Sequence, residues 1–215
     1  MVAGFAQSSP NGRLMTFAAR ERAAGSRVAV DVGCGAARNL IPLVRDGWMA
    51  VGIDLSRPMT EAAAARLRDE TLRDRAIVAL APMDALPLAD ASADLVIAHG
   101  VWNLARSAAE FRRGIAEAAR VARTGAALFV FTFSRRTVPA AATPVEGEPF
   151  VFTEFSGEPQ CFLTEAQLLD ELQTAGFVPD PAVPLIEHNV PKAASLTRHR
   201  TPVIYEAAFR RGPRR

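Results

Sequence analysis

One short stretch, residues 28–39, constrains the fold more than any other part of the sequence. It begins with a Val-rich apolar run that ends in Asp31, continues through Gly33-Cys34-Gly35 and passes into residues of helical character. This order is typical of a buried strand that enters a tight turn and then a helix. Glycines in such a turn let the backbone approach a ligand closely, and the free N–H groups at the helix start face the bound molecule. The stretch therefore predicts a ligand site at a strand-to-helix junction.

A second strand with an acidic end supports this interpretation. Residues 50–53 form a short apolar run, and Asp54 follows it, 19 residues after Gly35. An acid at this distance, at the end of the second strand of a β-α-β unit, suits the hydroxyl groups of a ribose. The spacing therefore predicts that the ligand contains a nucleoside.

Two classes of nucleoside-containing cofactor use this arrangement, and residue 38 distinguishes them. A dinucleotide site has a third glycine at this position, in the pattern G-x-G-x-x-G, whereas this chain has Arg38. A carboxylate two residues before the first glycine, Asp31, suits a ligand with positive charge, such as an amino group beside a sulfonium. These residues argue against a nicotinamide-dependent oxidoreductase, which is the alternative from another class of enzyme.

The same residues carry a resemblance to a known family. Residues 31–35 resemble motif I of the class I S-adenosylmethionine (SAM)-dependent methyltransferases, and residues 35–56 are similar to the small-molecule branch of that family. The motif's usual third glycine is replaced by Ala37. The resemblance, over roughly residues 26–210, implies that SAM is the cofactor and S-adenosylhomocysteine the product. It implies methyl transfer to a small-molecule acceptor by in-line displacement. An RNA or protein methyltransferase, or a non-catalytic SAM-binding partner or sensor domain, are the alternatives.

The resemblance also implies which residues hold the cofactor. Asp54 would accept hydrogen bonds from both ribose hydroxyls, Asp84 would accept one from the adenine amine, and Asp31 would hold the methionine end. The expected cofactor contacts follow the ends of the first four predicted strands: Asp31, Gly33, Cys34, Gly35, Asp54, Leu55, Met83, Asp84, Ala85 and His99.

The turn after the fourth predicted strand contains the candidates for chemistry at the acceptor. His99 is a candidate catalytic base, since the unperturbed pKa of histidine is about 6.5, although histidines at strand ends also serve only as backbone partners. Trp102 and Asn103 are candidates for the acceptor pocket. The turn lacks the Asn/Asp-Pro-Pro-aromatic sequence with which family members methylate amines of nucleic acid bases, and this argues against such a substrate.

Residues 135–160 are the least regular part of the sequence, with four prolines, two glycines and three phenylalanines. A stretch this long between a strand and a helix is more typical of a functional lid than of a linker. We expect it to close over the acceptor, with Phe150, Phe152 and Phe155 lining the acceptor pocket.

Strands and helices alternate through the rest of the chain. Predicted strands cover residues 28–32, 50–53, 77–81, 93–98 and 127–133, then a sixth strand made of 177–179 and 186–189, and finally 203–209. Predicted helices cover 13–24, 37–46 with a bend at Pro42, 57–74, 108–122 and 164–175. This pattern predicts an α/β fold, a single doubly wound Rossmann-like domain over residues 1–215 with an N-terminal helical segment in residues 1–25. The resemblance implies a seven-stranded sheet with the last strand antiparallel.

The overall composition restricts the class of partner. The formal charge is +2, and no apolar run reaches the roughly 20 residues of a membrane span, so we expect neither a nucleic acid nor a membrane partner. We expect the arginines within residues 210–215 to form a solvated tail. Two cysteines and three dispersed histidines indicate neither a disulfide framework nor a metal site. Without a signal-peptide pattern, the expected location is the cytoplasm, and the expected state is a monomer or homodimer.

Overall fold

A computed structural model of the protein describes residues 8–190 and 201–213. Its helices are α1 (Gly12–Ala23), α2 (Leu40–Arg45), α3 (Arg57–Asp69), α4 (Ala108–Val121) and α5 (Glu165–Thr174). Its first five strands are β1 (Val28–Val32), β2 (Met49–Asp54), β3 (Ala76–Leu80), β4 (Ala93–His99) and β5 (Ala122–Phe133). The later strands are β6 (Val151–Phe152), β7 (Gln160–Cys161), β8 (Phe177–Pro179), β9 (Ile186–His188) and β10 (Ile204–Arg211).

The main sheet has the strand order β3-β2-β1-β4-β5-β10-β8. The pairs among β1 to β5 are parallel, whereas β10 is antiparallel to β5. The short strands β8 and β9 both pair with β10, so that together they fill the seventh position of the sheet. The α/β fold, the seven positions and the antiparallel last strand are therefore confirmed.

Helices cover both faces of this sheet. On one face, Leu14 and Phe17 of α1 pack against Ile97 and Phe129, and α2 and α3 pack against β2 beside them. On the other face, α4 and α5 pack against the opposite side chains of β4, β5 and β10. Because β1 and β4 lie between two layers of helices, their near-continuous apolar sequences are buried on both sides.

The first helix after β1 is shorter than predicted. It begins at Leu40 instead of residue 37, because turns occupy residues 35–39 and Ala37 has a φ of 64°. Pro42 therefore lies within the first turn of α2, where a missing N–H costs no helical hydrogen bond, and the predicted bend is not needed. The next helix, α3, ends at Asp69, and Thr71 with a φ of 57° turns the chain towards β3.

The prediction of a solvated arginine tail is wrong for its first two residues. Arg210 and Arg211 extend β10. The guanidinium of Arg210 donates to the carboxylates of Glu21 and Asp180, both of which are buried. Arg214 and Arg215 lie outside the described residues, as do residues 1–7 of the N-terminal segment. None of the described helices is long and apolar enough to cross a membrane.

Candidate functional site

A cavity of about 430 Å³ opens at the carboxyl ends of β1 to β4. This is where ligands bind in open parallel sheets. Its walls come from the glycine turn after β1, the ends of β2 and β3, the turn after β4 and the start of α4. The lining residues are Val32, Gly33, Cys34, Gly35, Ala36, Arg38, Asn39, Ile53, Asp54, Leu55, Ser56, Met59, Ala81, Pro82, Met83, His99, Gly100, Val101, Leu104 and Glu110.

The glycine turn is held in a conformation that suits its sequence. The N–H groups of Gly33 and Cys34 donate to the carbonyl of Ile53 at 2.7 and 3.0 Å, which fixes the turn to β2. Gly33 has a φ of 74°, and a Cβ at this position would lie 2.6 Å from the Cβ of Val101. Gly35 also has a positive φ, and beyond its two chain neighbours no atom lies within 4 Å of the place of its missing Cβ. The turn therefore presents bare backbone to the cavity.

The carboxylate of Asp54 is fixed at the edge of the same cavity. Its Oδ2 accepts from the N–H of Gly35 at 2.9 Å, and its Oδ1 accepts from the N–H of Ser56 at 2.8 Å. A carboxylate has about four acceptor positions, so each oxygen of Asp54 can accept one further hydrogen bond. The arrangement suits a pair of neighbouring hydroxyl groups.

Asp31 lies buried beneath the turn and does not line the cavity itself. Neither of its carboxylate oxygens has a hydrogen-bond partner among the described residues. Burial raises the pKa of Asp31 to about 7; the Arg38 guanidinium opposes this rise and the Asp54 carboxylate adds to it. A buried, unpartnered acid is costly, and such acids concentrate where a protein binds charged ligands.

His99 lines the cavity, but its ring nitrogens face hydrogen-bond donors. Its Nδ1 lies 3.2 Å from Nη2 of Arg38, and its Nε2 lies 3.1 Å from Nδ2 of Asn11. Burial, and then the charge of Arg38, lower the pKa of His99 to about 4. The neutral ring already has a proton on one of these nitrogens, and a second proton would face the other donor and add a second cation beside Arg38. This geometry argues against His99 as a general base.

The expected adenine contacts lie in different environments. Met83 and Leu55 line the cavity, and Leu55 is exposed. Asp84 and Ala85 are not among the lining residues, and Oδ2 of Asp84 accepts from Nε of Arg113 at 3.0 Å. The contact between Asp84 and an adenine amine therefore stays a prediction.

None of the five expected acceptor residues lines this cavity. Trp102 and Asn103 are buried in the short 3-10 turn after β4. Phe150 packs edge-on against Phe111 of α4, with ring centroids 5.3 Å apart. The remaining two expected acceptor residues, Phe152 and Phe155, both pack against Phe162.

We expected the phenylalanines of residues 135–160 to line the acceptor pocket. Their rings instead pack against the body of the fold and anchor that segment to it. Aromatic rings bury a large apolar area, and this burial opposes release of the segment. Its closure over an acceptor stays a prediction.

Two charged residues of the cavity were not among the expected contacts. In the sequence, Arg38 was noted only because it stands where a dinucleotide site has its third glycine. Glu110 lies in the first turn of α4, where its N–H donates to the Ser107 hydroxyl at 3.1 Å and its Oε2 accepts from the N–H of Arg106 at 2.7 Å. The spacing Ser-x-x-Glu is a helix-start signal, and it could have located Glu110 at the carboxyl edge of the sheet. The described residues contain no group of three potential metal ligands.

Comparison with known proteins agrees with this geometry. Residues 30–130 match the family model of a methyltransferase domain. The matched residues make up just under half of the chain, so the match is a likeness to methyltransferase domains. The chain is 27% identical over 164 residues to the demethylmenaquinone methyltransferase of Corynebacterium glutamicum. That match covers 69% of this chain and 66% of the relative, so the chain spans just under two thirds of the relative's length.

Solved structures share the fold of this chain. The [4+2]-cyclase SpnF superimposes with a TM-score of 0.69 and 20% identity, over 96% of this chain and 85% of that chain. The 1,6-didemethyltoxoflavin-N1-methyltransferase of Burkholderia thailandensis was solved with 1,6-didemethyltoxoflavin and S-adenosylhomocysteine bound. It superimposes with a TM-score of 0.67 and 16% identity, over 93% of this chain and 78% of that chain. At these identities the likeness shows a common fold.

Proposed function

We propose that the protein binds SAM in the cavity at the carboxyl ends of β1 to β4 and transfers its methyl group to a small-molecule acceptor. One observation carries the proposal: the Asp54 carboxylate, held by the N–H groups of Gly35 and Ser56, faces the same cavity as the bare glycine turn. The neighbouring buried acid, Asp31, adds the negative charge that a sulfonium and an ammonium group require.

The residues present fit this cofactor at three points. The turn at Gly33 has no space for a side chain, so the backbone itself forms the wall against which the ligand lies. The free acceptor positions of Asp54 match the two ribose hydroxyls. The carboxylate oxygens of Asp31 have no hydrogen-bond partner among the described residues, and a cation held close to them would lower the cost of leaving them unpartnered.

When bound, SAM supplies a methyl group on a sulfonium that is already activated for displacement. The protein's own task is then to align the acceptor with that methyl group and to exclude water. Gly33 and Gly35 allow close approach, Asp54 fixes the ribose, and Val101 and Leu104 provide apolar wall. Because His99 is poorly placed to accept a proton, we propose that the acceptor enters in its nucleophilic form.

The proteins named above support a small acceptor over a macromolecule. Two of them carry small molecules, demethylmenaquinone and 1,6-didemethyltoxoflavin, in their names. The similarity to a [4+2]-cyclase indicates that this fold also occurs in proteins named for other chemistry. Turnover therefore has to be measured separately from binding. A cytoplasmic location and a monomeric or homodimeric state remain part of the proposal.

Calorimetry with the purified chain tests cofactor binding. We expect S-adenosylhomocysteine to bind and NADH to give no heat of binding. Asp54→Ala should weaken S-adenosylhomocysteine binding at least ten-fold, since each charge-assisted hydrogen bond contributes about 1.5–3 kcal/mol. Asp170→Ala, an exposed carboxylate on α5, is the matched control and should leave binding unchanged. Binding of NADH alone, or equal affinity of the folded Asp54→Ala variant, would overturn the assignment.

A further inference from the structure

Arg38 is the one cationic side chain among the lining residues of the cavity. The other charged groups of the lining are the carboxylates of Asp54 and Glu110. Arg38 is half-buried and lies in the run of turns between Gly35 and the start of α2. The Arg38 guanidinium acts on the buried carboxyl of Asp31, whose pKa rise it opposes, but it forms no ion pair with a carboxylate among the described residues.

The guanidinium of Arg38 has spare hydrogen-bonding capacity. Its one hydrogen bond within the described residues runs from Nη2 to Nδ1 of His99, and it forms no ion pair there. Arginine has five N–H donors in a planar fork, so Nε and Nη1 are left without partners in the described part of the chain. A half-buried guanidinium in this state is suited to a planar anion that accepts two parallel hydrogen bonds.

His99 orients this guanidinium, but the neutral ring does not compensate its positive charge. Asn11 lies beyond the ring: its Oδ1 accepts from the N–H of Leu14, and its Nδ2 donates to Oε1 of Glu206 at 2.6 Å and lies 3.1 Å from Nε2 of His99. A neutral ring has one acceptor nitrogen, so Nδ1 serves Arg38 as an acceptor when the single ring proton is on Nε2. Stacking on Phe131, with centroids 4.1 Å apart, holds the ring in this plane. The arrangement positions the guanidinium and leaves it open to an anion.

We propose that Arg38 is the carboxylate-binding residue of this cavity. The proposal rests on the proposed function and concerns the same site. Two sources could provide the carboxylate: the amino-acid part of the cofactor, whose ammonium group Asp31 would match, or an anionic acceptor beside it. Within the described residues, Arg38→Gln removes one hydrogen bond of the guanidinium, the one to Nδ1 of His99.

The test compares two ligands that differ only in the carboxylate: S-adenosylhomocysteine and its decarboxylated analogue, which keeps the ammonium group. Calorimetry is carried out on the wild-type protein, on Arg38→Gln and on Arg73→Gln. Arg73 is an exposed arginine outside the cavity and provides the same change of charge. We expect Arg38→Gln to weaken S-adenosylhomocysteine about ten- to hundred-fold, to leave the decarboxylated analogue within about two-fold, and Arg73→Gln to change neither.

A second set of titrations tests the other source of the carboxylate, an anionic acceptor. If Arg38→Gln leaves both nucleoside ligands unchanged, benzoate and acetate are titrated into the protein saturated with S-adenosylhomocysteine. Binding of these probes that is lost in Arg38→Gln assigns the residue to an anionic acceptor. Equal weakening of both nucleoside ligands, or no effect in either arm, overturns the proposal. Failure of wild-type protein to bind S-adenosylhomocysteine would instead overturn the proposed function itself.

Discussion

Replacing Asp31 by asparagine is expected to change how the stability of the protein depends on pH. In the folded protein, burial raises the pKa of Asp31 from 3.8 to about 7. An acid whose pKa is raised by folding adds stability at low pH, and that stability is lost as the pH rises from about 4 to about 7. The difference between 3.8 and about 7 corresponds to about 4 kcal/mol, at about 1.4 kcal/mol for each pH unit.

Asparagine has nearly the same shape as aspartic acid and does not titrate. The cost of burying its amide is constant with pH, so this cost moves the whole stability curve without changing its slope. Between about pH 4 and pH 8 the free energy of unfolding of Asp31→Asn should therefore rise relative to wild type by up to about 4 kcal/mol.

Urea unfolding at several pH values measures this difference. Trp48 and Trp102 are both buried, so their fluorescence reports loss of the core. Asp170→Asn, an exposed carboxylate, is the control and should track the wild type at every pH. A constant difference between Asp31→Asn and wild type across this range would refute the reasoning, because Asp31 would then titrate as an ordinary surface acid.

Four further outcomes are expected. Binding of S-adenosylhomocysteine to the wild-type protein should weaken as the pH falls below about 7, since the protonated form of Asp31 no longer attracts an ammonium group. Calorimetry at several pH values measures this affinity, and an affinity that does not change with pH would contradict the prediction. Gly33→Ala should destabilise the fold by more than Gly125→Ala, because both have positive φ but only Gly33 has no space for a Cβ; urea unfolding compares the two, and equal losses would count against the close packing of the turn. Phe150→Ala should cost about 3–5 kcal/mol of stability while leaving S-adenosylhomocysteine affinity unchanged, because its ring packs in the core; a folded variant with weaker binding would instead favour a lid role. Thr164→Ala should cost about 1 kcal/mol by removing the capping box of α5, measured by thermal unfolding against the exposed Glu165→Ala.

The parts of the site that the sequence predicts are those determined by local chemistry. Gly33 and Gly35 follow a buried apolar strand, and this order by itself specifies a turn with positive φ at the carboxyl edge of a sheet. Asp54 follows from the length of a β-α-β unit, and the structure places it against the N–H of Gly35. The start of α5 is equally local: the helix predicted from residue 164 begins at Glu165, where Thr164 and Gln167 form a capping box.

The rest depends on contacts between residues far apart in the sequence. Phe150 resembles a lid residue because of its proline-rich surroundings, but its position is decided by packing against Phe111 of α4. The neutral state of His99 depends on its burial and on the charge of Arg38, which lies 61 residues away in the sequence. No periodicity or spacing contains that information, so the chemical role of His99 could not be read from the turn in which it lies.

A crystal structure of the protein with S-adenosylhomocysteine would show directly where the nucleoside binds. We predict that the nucleoside lies in the cavity at the carboxyl ends of β1 to β4. Both ribose hydroxyls should then lie within about 3.2 Å of the Asp54 carboxylate oxygens, over the turn formed by Gly33 and Gly35. Ligand density elsewhere on the chain, or a ribose with no contact to Asp54, would contradict it.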